Sequence, residues 1–501
     1  MQAETTVLRD CGWIISWNAA EERHEYMQGG DLAFRGDRVL QVGGRYEGPF
    51  EHEVDARARM VMPGFVDLHA HPTFETMLKG YTDEVGSPNF YQSSLYEFLF
   101  LFELDEEGMR ASNEVALSEL LLSGVTTLCD ISVPHEGWLD MMAQSGIRGF
   151  AAPMFRSGRW FTRNGHSVEY AFDEPQGRAR LETALSVVDA ARAHPSGRLD
   201  GVISPAQIDT CSEGLLRDAA AEARARNMPL QIHASQSVVE FNEIMRRHGR
   251  TPAGWLGELG LLGPDLTIGH GIFMDHHDWV AWGARNDLGL LAESGTTVAH
   301  CPTVFVRRGI SLRHFAEYRA AGVNMGLGTD TFPHNFVEEM RNAIYVGRTV
   351  SGNSKGPTAQ MIFEAATVGG AKALGRDDIG RLAPGAKADI VLVDLMHPAM
   401  RPVRDPLRSL VFSAGERPIR DVYIDGRQVV AGGRVLGLDR EAALARVEEA
   451  QARSAAQVHK HDWAGRPADE VMPHALPFAR VPAPAPAPVP EVASGAAEAE
   501  A

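Results

Sequence analysis

The chain has 501 residues, 44% of them hydrophobic, and a formal net charge of −18. That length can bury a sizeable core in two or three domains. The acidity argues against a nucleic-acid or anionic-membrane surface, and no apolar run approaches the roughly 18 residues of a membrane span.

In chain order, the opening MQAETTVLRDCGW lacks a basic region followed by an apolar run, so no secretion signal is read. The four cysteines, Cys11, Cys129, Cys211 and Cys301, show no paired spacing. This suits a reducing compartment, and a cytoplasmic location is expected. Residues 1–60 contain short strand-like pieces between Gly- and Asp-rich turns, such as 31–34 and 38–44, and the pattern returns at 388–393 and 421–427. Neither flank has strands enough for its own sandwich, so 1–60 and 381–436 are expected to form one small discontinuous β-sandwich domain.

Between the flanks, residues 61–380 alternate buried strand-like runs with amphipathic helical stretches, for example 215–226 and 238–249. Strands are expected near 62–69, 125–130, 147–153, 201–206, 229–234, 265–270, 296–301 and 323–330. Eight such units in about 300 residues predict an α/β fold, a (β/α)8 TIM barrel with its active site at the carboxyl ends of the strands. The first strand ends in His69-Ala70-His71. Side chains two apart on a strand share a face, so the two imidazoles can meet one metal ion. His233, His270 and Asp330 each close a later strand. Cys129 and Cys301 fall within strands and read as small buried hydrophobes.

Beyond the barrel, 437–474 reads as a helical extension with an amphipathic helix at 439–457. Residues 475–501 form a Pro- and Ala-rich tail expected to be disordered.

PGFVDLHAH at 63–71, QIHA at 231–234, IGHGIF at 268–273, VAHCP at 298–302, GLGTD at 326–330 and GRLAPGAKADIVLVD at 380–394 occur in order along the chain. Together they resemble the amidohydrolase superfamily, in the branch of triazine hydrolases and guanine, cytosine and adenosylhomocysteine deaminases. The resemblance implies His69, His71, His233 and Asp330 as metal ligands, Asp330 as the base, and His270 as a group that polarises the substrate. It also implies a small-molecule substrate and a homo-oligomer, dimer or higher. Imidazole and carboxylate donors suit one divalent ion, zinc foremost. Some relatives bridge two metals through a strand-four lysine, and 201–205 has none.

One position departs from the deaminase pattern, which carries His-x-x-Glu on strand five. Here the sequence is His233-Ala234-Ser235-Gln236. Glutamine orients but cannot release and regain a proton. Gln236 therefore tilts the expected chemistry towards amide, urea or carbamate hydrolysis, with deamination of a purine, pyrimidine or s-triazine ring as the alternative. A catalytically inactive binding barrel is a remote third reading. Glu240, one helical turn further on, is a possible substitute that is expected to lie too far from the metal. The substrate pocket is expected from loops after the strands. Candidates are Arg156 and Trp160 after strand three, His300 and Arg307 at strand seven, and His334 after strand eight. The segment 135–138 is similarly placed, and the aromatic run 91–102 can cover the pocket or pack against a neighbour.

Overall fold

The computed structural model describes residues 3–479. Eight parallel strands alternate with helices: Phe65–Ala70, Val125–Asp130, Arg148–Ala151, Leu199–Gly201, Leu230–Ala234, Leu266–His270, Thr297–His300 and Asn324–Leu327. Strand eight pairs with strand one through Leu327 and Asp67. Parallel bridges Ile203–Leu230 and Gln207–His233 close the ring between strands four and five. The fold is a (β/α)8 barrel. Its strands are buried on both faces, and so they read as continuous apolar runs rather than alternating ones. Several of the helices between them start on side-chain caps. Ser212 accepts from the Leu215 N–H at the head of Glu213–Arg226, and Ser237 from the Glu240 N–H at the head of Val238–His248.

Three strand assignments are corrected. The run 62–69 is two strands, because the chain turns at Gly64. Arg59–Pro63 joins the flanking sheet, and Phe65–Ala70 opens the barrel. A Cβ on Gly64 would sit 2.0 Å from Thr126 Oγ1 of strand two. Strands three and four are each interrupted, with their second pieces, Met154–Phe155 and Ser204–Pro205, pairing as a separate parallel couple. The loop after strand three is itself an antiparallel hairpin of Gly158–Phe161 and Glu169–Phe172.

The chain flanks form two further sheets, the first from the N-terminal flank alone and the second from both. One orders Arg38–Val42, Leu32–Arg35, Thr5–Arg9 and His52–Asp55. The other has seven strands and interleaves Arg59–Pro63 and Trp13–Asn18 from the start of the chain with Ile390–Asp394 and Ile419–Ile424 from its later part. Leu8, Ile14, Leu32 and Phe34 pack there against Leu382, Ile390, Leu392 and Tyr423. After these sheets come the helices Arg440–Ala455, Val458–His461 and Ala468–Val471. Of the tail expected at 475–501, residues 480–501 lie outside the described residues. Among the described residues, no helix is long and apolar enough to cross a membrane. All four cysteines are free and buried.

A buried ion cluster ties the barrel to the flanking sheets. Arg148 of strand three donates to both oxygens of Asp389, at 2.9 and 3.0 Å, and to Asp425 at 2.5 Å. Only 3% of the Arg148 side chain and 1% of that of Asp389 is exposed. Asp389→Ala would leave a buried guanidinium short of its bidentate partner, costing about 3–5 kcal/mol. Asp394→Ala removes a more exposed pair with Arg59 and is expected to cost no more than about 1 kcal/mol. Denaturant midpoints of the two variants check this, and equal shifts would contradict it.

Candidate active site: an imidazole–carboxylate cluster under one cavity

His69 ends barrel strand one. Two residues later His71 caps the one-turn helix Pro72–Glu75. His233 lies in strand five, and Asp330 follows strand eight. One potential ligand atom from each of these four lies within 4.8 Å of the other three. Asp330 Oδ1 is 3.3 Å from His69 Nε2 and 3.2 Å from His71 Nε2, and His71 Nε2 is 3.2 Å from His233 Nε2.

The far nitrogens explain this convergence. His71 Nδ1 donates to the Ile131 carbonyl at 2.6 Å, and His233 Nδ1 to the Ala206 carbonyl at 2.5 Å. His69 Nδ1 lies 2.5 Å from Gln231 Oε1, while the Gln231 amide nitrogen donates to the Leu68 carbonyl at 3.0 Å. Each acceptor fixes the proton on Nδ1, which leaves Nε2 as a bare lone pair aimed at the common point. His69 Nε2 is buried with no hydrogen-bond partner. Burial, reinforced by the neighbouring imidazoles, pushes His233 well below its ordinary value, so it is neutral, the form that ligates. Burial opposes ionisation of Asp330, yet the surrounding imidazoles of His270, His69 and His71 hold its carboxyl well below the usual range. These residues fit a divalent metal ion.

The backbone beneath the cluster is shaped for it. A Cβ at Gly269 would lie 2.6 Å from His69 Cε1, and one at Gly328 would lie 2.6 Å from the His69 carbonyl oxygen. Asp67 staples strand one to strand eight, accepting from the N–H of His69 and of Thr329, each at 3.1 Å, and from Thr329 Oγ1 at 2.7 Å. His270 and Asp330 take left-handed φ angles of 78° and 59°. Such values are uncommon outside glycine, and they cluster at functional sites.

A cavity of about 580 Å³ opens onto His71, His233, Asp330 and Gln236. Its walls include Phe74, Leu78, Phe98, Phe100, Phe102, Trp160 and Phe305. Trp160 packs on Tyr96 and Phe100, and Arg156 lies 5.0 Å over the Phe100 ring. Gln236 Oε1 is buried without a partner. Glu240 does not line this cavity. Its carboxylate accepts from the N–H of Ser235 at 2.6 Å and of Gln236 at 3.1 Å, fixing the turn after strand five.

Three expected substrate contacts are corrected, because none of them lines the cavity. His300 is buried against Phe315, Arg307 donates to the Phe332 carbonyl at 2.8 Å, and His334 is buried beside Thr329 Oγ1 at 3.2 Å. The adjacent Arg308 faces the cavity instead. At 135–138, Trp138 turns inward to donate to Asp130 at 2.8 Å. His270 is fully buried 4.8 Å from the Phe305 ring, and both its nitrogens lack partners. Burial pushes its pKa down to about 3. The sequence reading missed Glu75, a cavity-lining carboxyl one helical turn after His71. Burial first, then the charge of Asp330, pushes it up to about 7. A carboxylate at i+4 from a candidate ligand was the available signal.

His69, His270 and Cys301 form a second close group. Burial pushes the Cys301 thiol well up, and a protonated thiol ligates poorly. Elemental analysis of purified variants separates the two groups. About one ion per chain is expected in the parent protein. His71→Ala or His233→Ala should lose it, while His270→Ala and Cys301→Ala keep it. The opposite pattern would move the metal to the second group.

The amidohydrolase family model matches residues 60–429. Over 425 residues the chain is 30% identical to a 5-methylthioadenosine/S-adenosylhomocysteine deaminase of Halobacterium salinarum, covering 83% of this chain and 92% of the relative. It is 27% identical to a 5'-deoxyadenosine deaminase of Methanosphaera stadtmanae, covering 78% and 87%. Among solved structures, an adenosine deaminase from Xanthomonas campestris with bound zinc superposes with a TM-score of 0.74 at 22% identity, over 89% of this chain and 98% of that one. Atrazine chlorohydrolase TrzN of Arthrobacter aurescens TC1, complexed with zinc, gives 0.74 at 20% identity, over 89% and 100%. These two likenesses concern the fold. With the family model spanning the whole barrel and part of the seven-stranded flanking sheet, the chain belongs to the amidohydrolase family.

Proposed function

We propose that this enzyme is a metal-dependent hydrolytic deaminase that removes an exocyclic amino group from a purine-type heterocycle. The observation that carries this reading is kinship, over more than three quarters of the chain, with deaminases of adenosine derivatives. A cavity of about 580 Å³ with aromatic walls suits a planar ring bearing a sugar-sized substituent.

We assign His69, His71, His233 and Asp330 to one divalent ion, zinc by donor type. When bound, the ion supplies Lewis acidity at the bond under attack. Asp330, ionised and facing the cavity, accepts the proton of the attacking water. Gln236 offers its unpartnered Oε1 to an N–H of the substrate and so orients it. It cannot shuttle the proton that the leaving amine requires, and we assign that task to Glu75, a carboxyl that lines the same cavity. Phe100 and Trp160 stack the ring, and Arg156 pairs with an oxygen-bearing substituent. His270, sealed beneath Phe305, acts by holding the orientation of the cluster rather than by touching substrate.

One observation favours a second reading. With Gln236 in place of a strand-five carboxylate, attack on an amide, urea or carbamate carbonyl is chemically simpler, because no ring nitrogen needs protonation.

A panel of aminopurine nucleosides, amino-triazines, amides, ureas and carbamates decides between them. Ammonia release is expected from the aminopurines. Asp330→Asn should nearly abolish turnover. Glu75→Gln should lower kcat/KM by about 10²–10⁴ at unchanged metal content, and adding Gln236→Glu to it should restore part of the loss. Turnover confined to carbonyl substrates, indifferent to Glu75→Gln, would hand the site to the second reading.

A further inference from the structure

One irregular segment, residues 72–104, supplies more of the cavity wall than any other stretch, 14 of its 34 lining residues. It supplies Phe74, Leu78, Leu95, Phe98, Phe100 and Phe102, among others. Its only regular structure is four short turns, Pro72–Glu75, Thr76–Leu78, Pro88–Phe90 and Leu99–Leu101. A segment of this length without long helices or strand pairing does not hold one shape by itself. Something outside it must fix the wall.

The barrel does part of this, through Ala111 and Val115 of the helix Glu106–Leu122, Lys79–Glu119 and Tyr96–Ser237, and the helices beyond the family match do the rest. Leu78 and Phe102 face the cavity on one side. On the other they share a hydrophobic cluster with Ala443, Val447, Val458 and Met472 of the C-terminal extension. Polar ties pin the same segment at both ends. Gln451 Nε2 donates to the carbonyls of Met77 at 2.5 Å and Lys79 at 2.9 Å. Further along, Trp463 Nε1 donates to Glu97 Oε1 at 3.0 Å, and Arg466 reaches the same oxygen at 3.3 Å. The Glu97 side chain is only 11% exposed. By contrast, Arg446 ties the extension to Glu107 and Glu114 of the barrel helix Glu106–Leu122 and does not touch the segment.

We propose that the C-terminal helices are the backing of the substrate pocket, and that Gln451 and Trp463 are positioning residues that set its shape and hence substrate affinity. The proposal rests on this cavity being the substrate site, whichever C–N bond is broken there. Of the cluster that would hold the metal, only the turn after strand eight comes near the extension, through Phe332, whereas Glu75 lies inside the braced segment itself. The effect is therefore mainly on KM, with a smaller loss of kcat through Glu75, and not on metal content.

The test uses the full chain and near-isosteric changes that keep the packing. Gln451→Met removes both donors, Trp463→Phe removes the indole N–H, and Arg446→Ala serves as the control. Hydrogen exchange followed by mass spectrometry reads the segment directly, with no substrate needed. Exchange is expected to speed up within 72–104 for Gln451→Met and Trp463→Phe, while barrel strands and metal content stay as in the parent. On the best substrate of the panel, KM should rise about ten-fold, the equivalent of about 1.4 kcal/mol, and kcat should fall by less than KM rises. Arg446→Ala should do neither. Unchanged exchange in 72–104, an unchanged KM, or the same effects from Arg446→Ala would overturn the proposal. Absence of deaminase turnover would count against the proposed function alone, because the exchange measurement reads the brace independently of it.

Discussion

The active-site end of the structure is organised by one constraint: three imidazoles must present bare lone pairs at the same point. Each Nδ1 is committed elsewhere, to the carbonyls of Ile131 and Ala206 and to Gln231 Oε1. Those acceptors belong to three different parts of the barrel rim, so the cluster exists only when strands one, two, four and five are in register. Burying several unprotonated nitrogens around a carboxylate is costly unless a cation satisfies them. The left-handed turns at His270 and Asp330, and the glycines that let His69 sit between strands six and eight, are local costs borne for the same convergence.

The barrel was legible in the sequence because its strands are buried on both faces, which writes them as compact apolar runs at regular intervals. The cluster was legible because its members close those runs. The reading was weakest wherever a loop decides direction. His300 ends strand seven, and Arg307 and His334 follow strands seven and eight as pocket residues should, but His300 packs on Phe315, Arg307 on the Phe332 carbonyl and His334 beside Thr329. Position after a strand gives proximity to the rim and not orientation. Gly64 broke what looked like one strand, because a run of apolar residues carries no mark of which of two sheets each half will join.

Glu75 and Gln236 illustrate a different gap. Read along the chain, Gln236 is a lost carboxylate. In the folded protein a carboxyl from the turn after strand one faces the same cavity from another side. An acid group need not keep its strand to keep its task; it needs only the right depth and a path to the leaving group. Burial that raises Glu75 to about 7 would poise it to hold a proton at neutral pH, whereas Asp330, ringed by imidazoles, stays ionised. Two carboxyls in one cavity with opposed shifts are a natural acid and base pair.

On the proposed reading, the metal ligands and most of the selectivity wall come from different stretches of chain, and Glu75 belongs to the wall. The proposed ligands and base sit on barrel strands and their immediate turns, held by backbone pairing. Much of the wall comes from residues 72–104, a segment with little regular structure, leaning in part on helices that lie past the family match. Leu78 and Phe102, which touch the cavity on one side and the extension on the other, are where the two layers meet. Under the proposed brace, a change of helix packing behind them reshapes the pocket and leaves the proposed ligands in place. That separation lets one metal-binding barrel accept different rings and substituents, since the wall can vary while the strand ends that carry the reaction stay fixed.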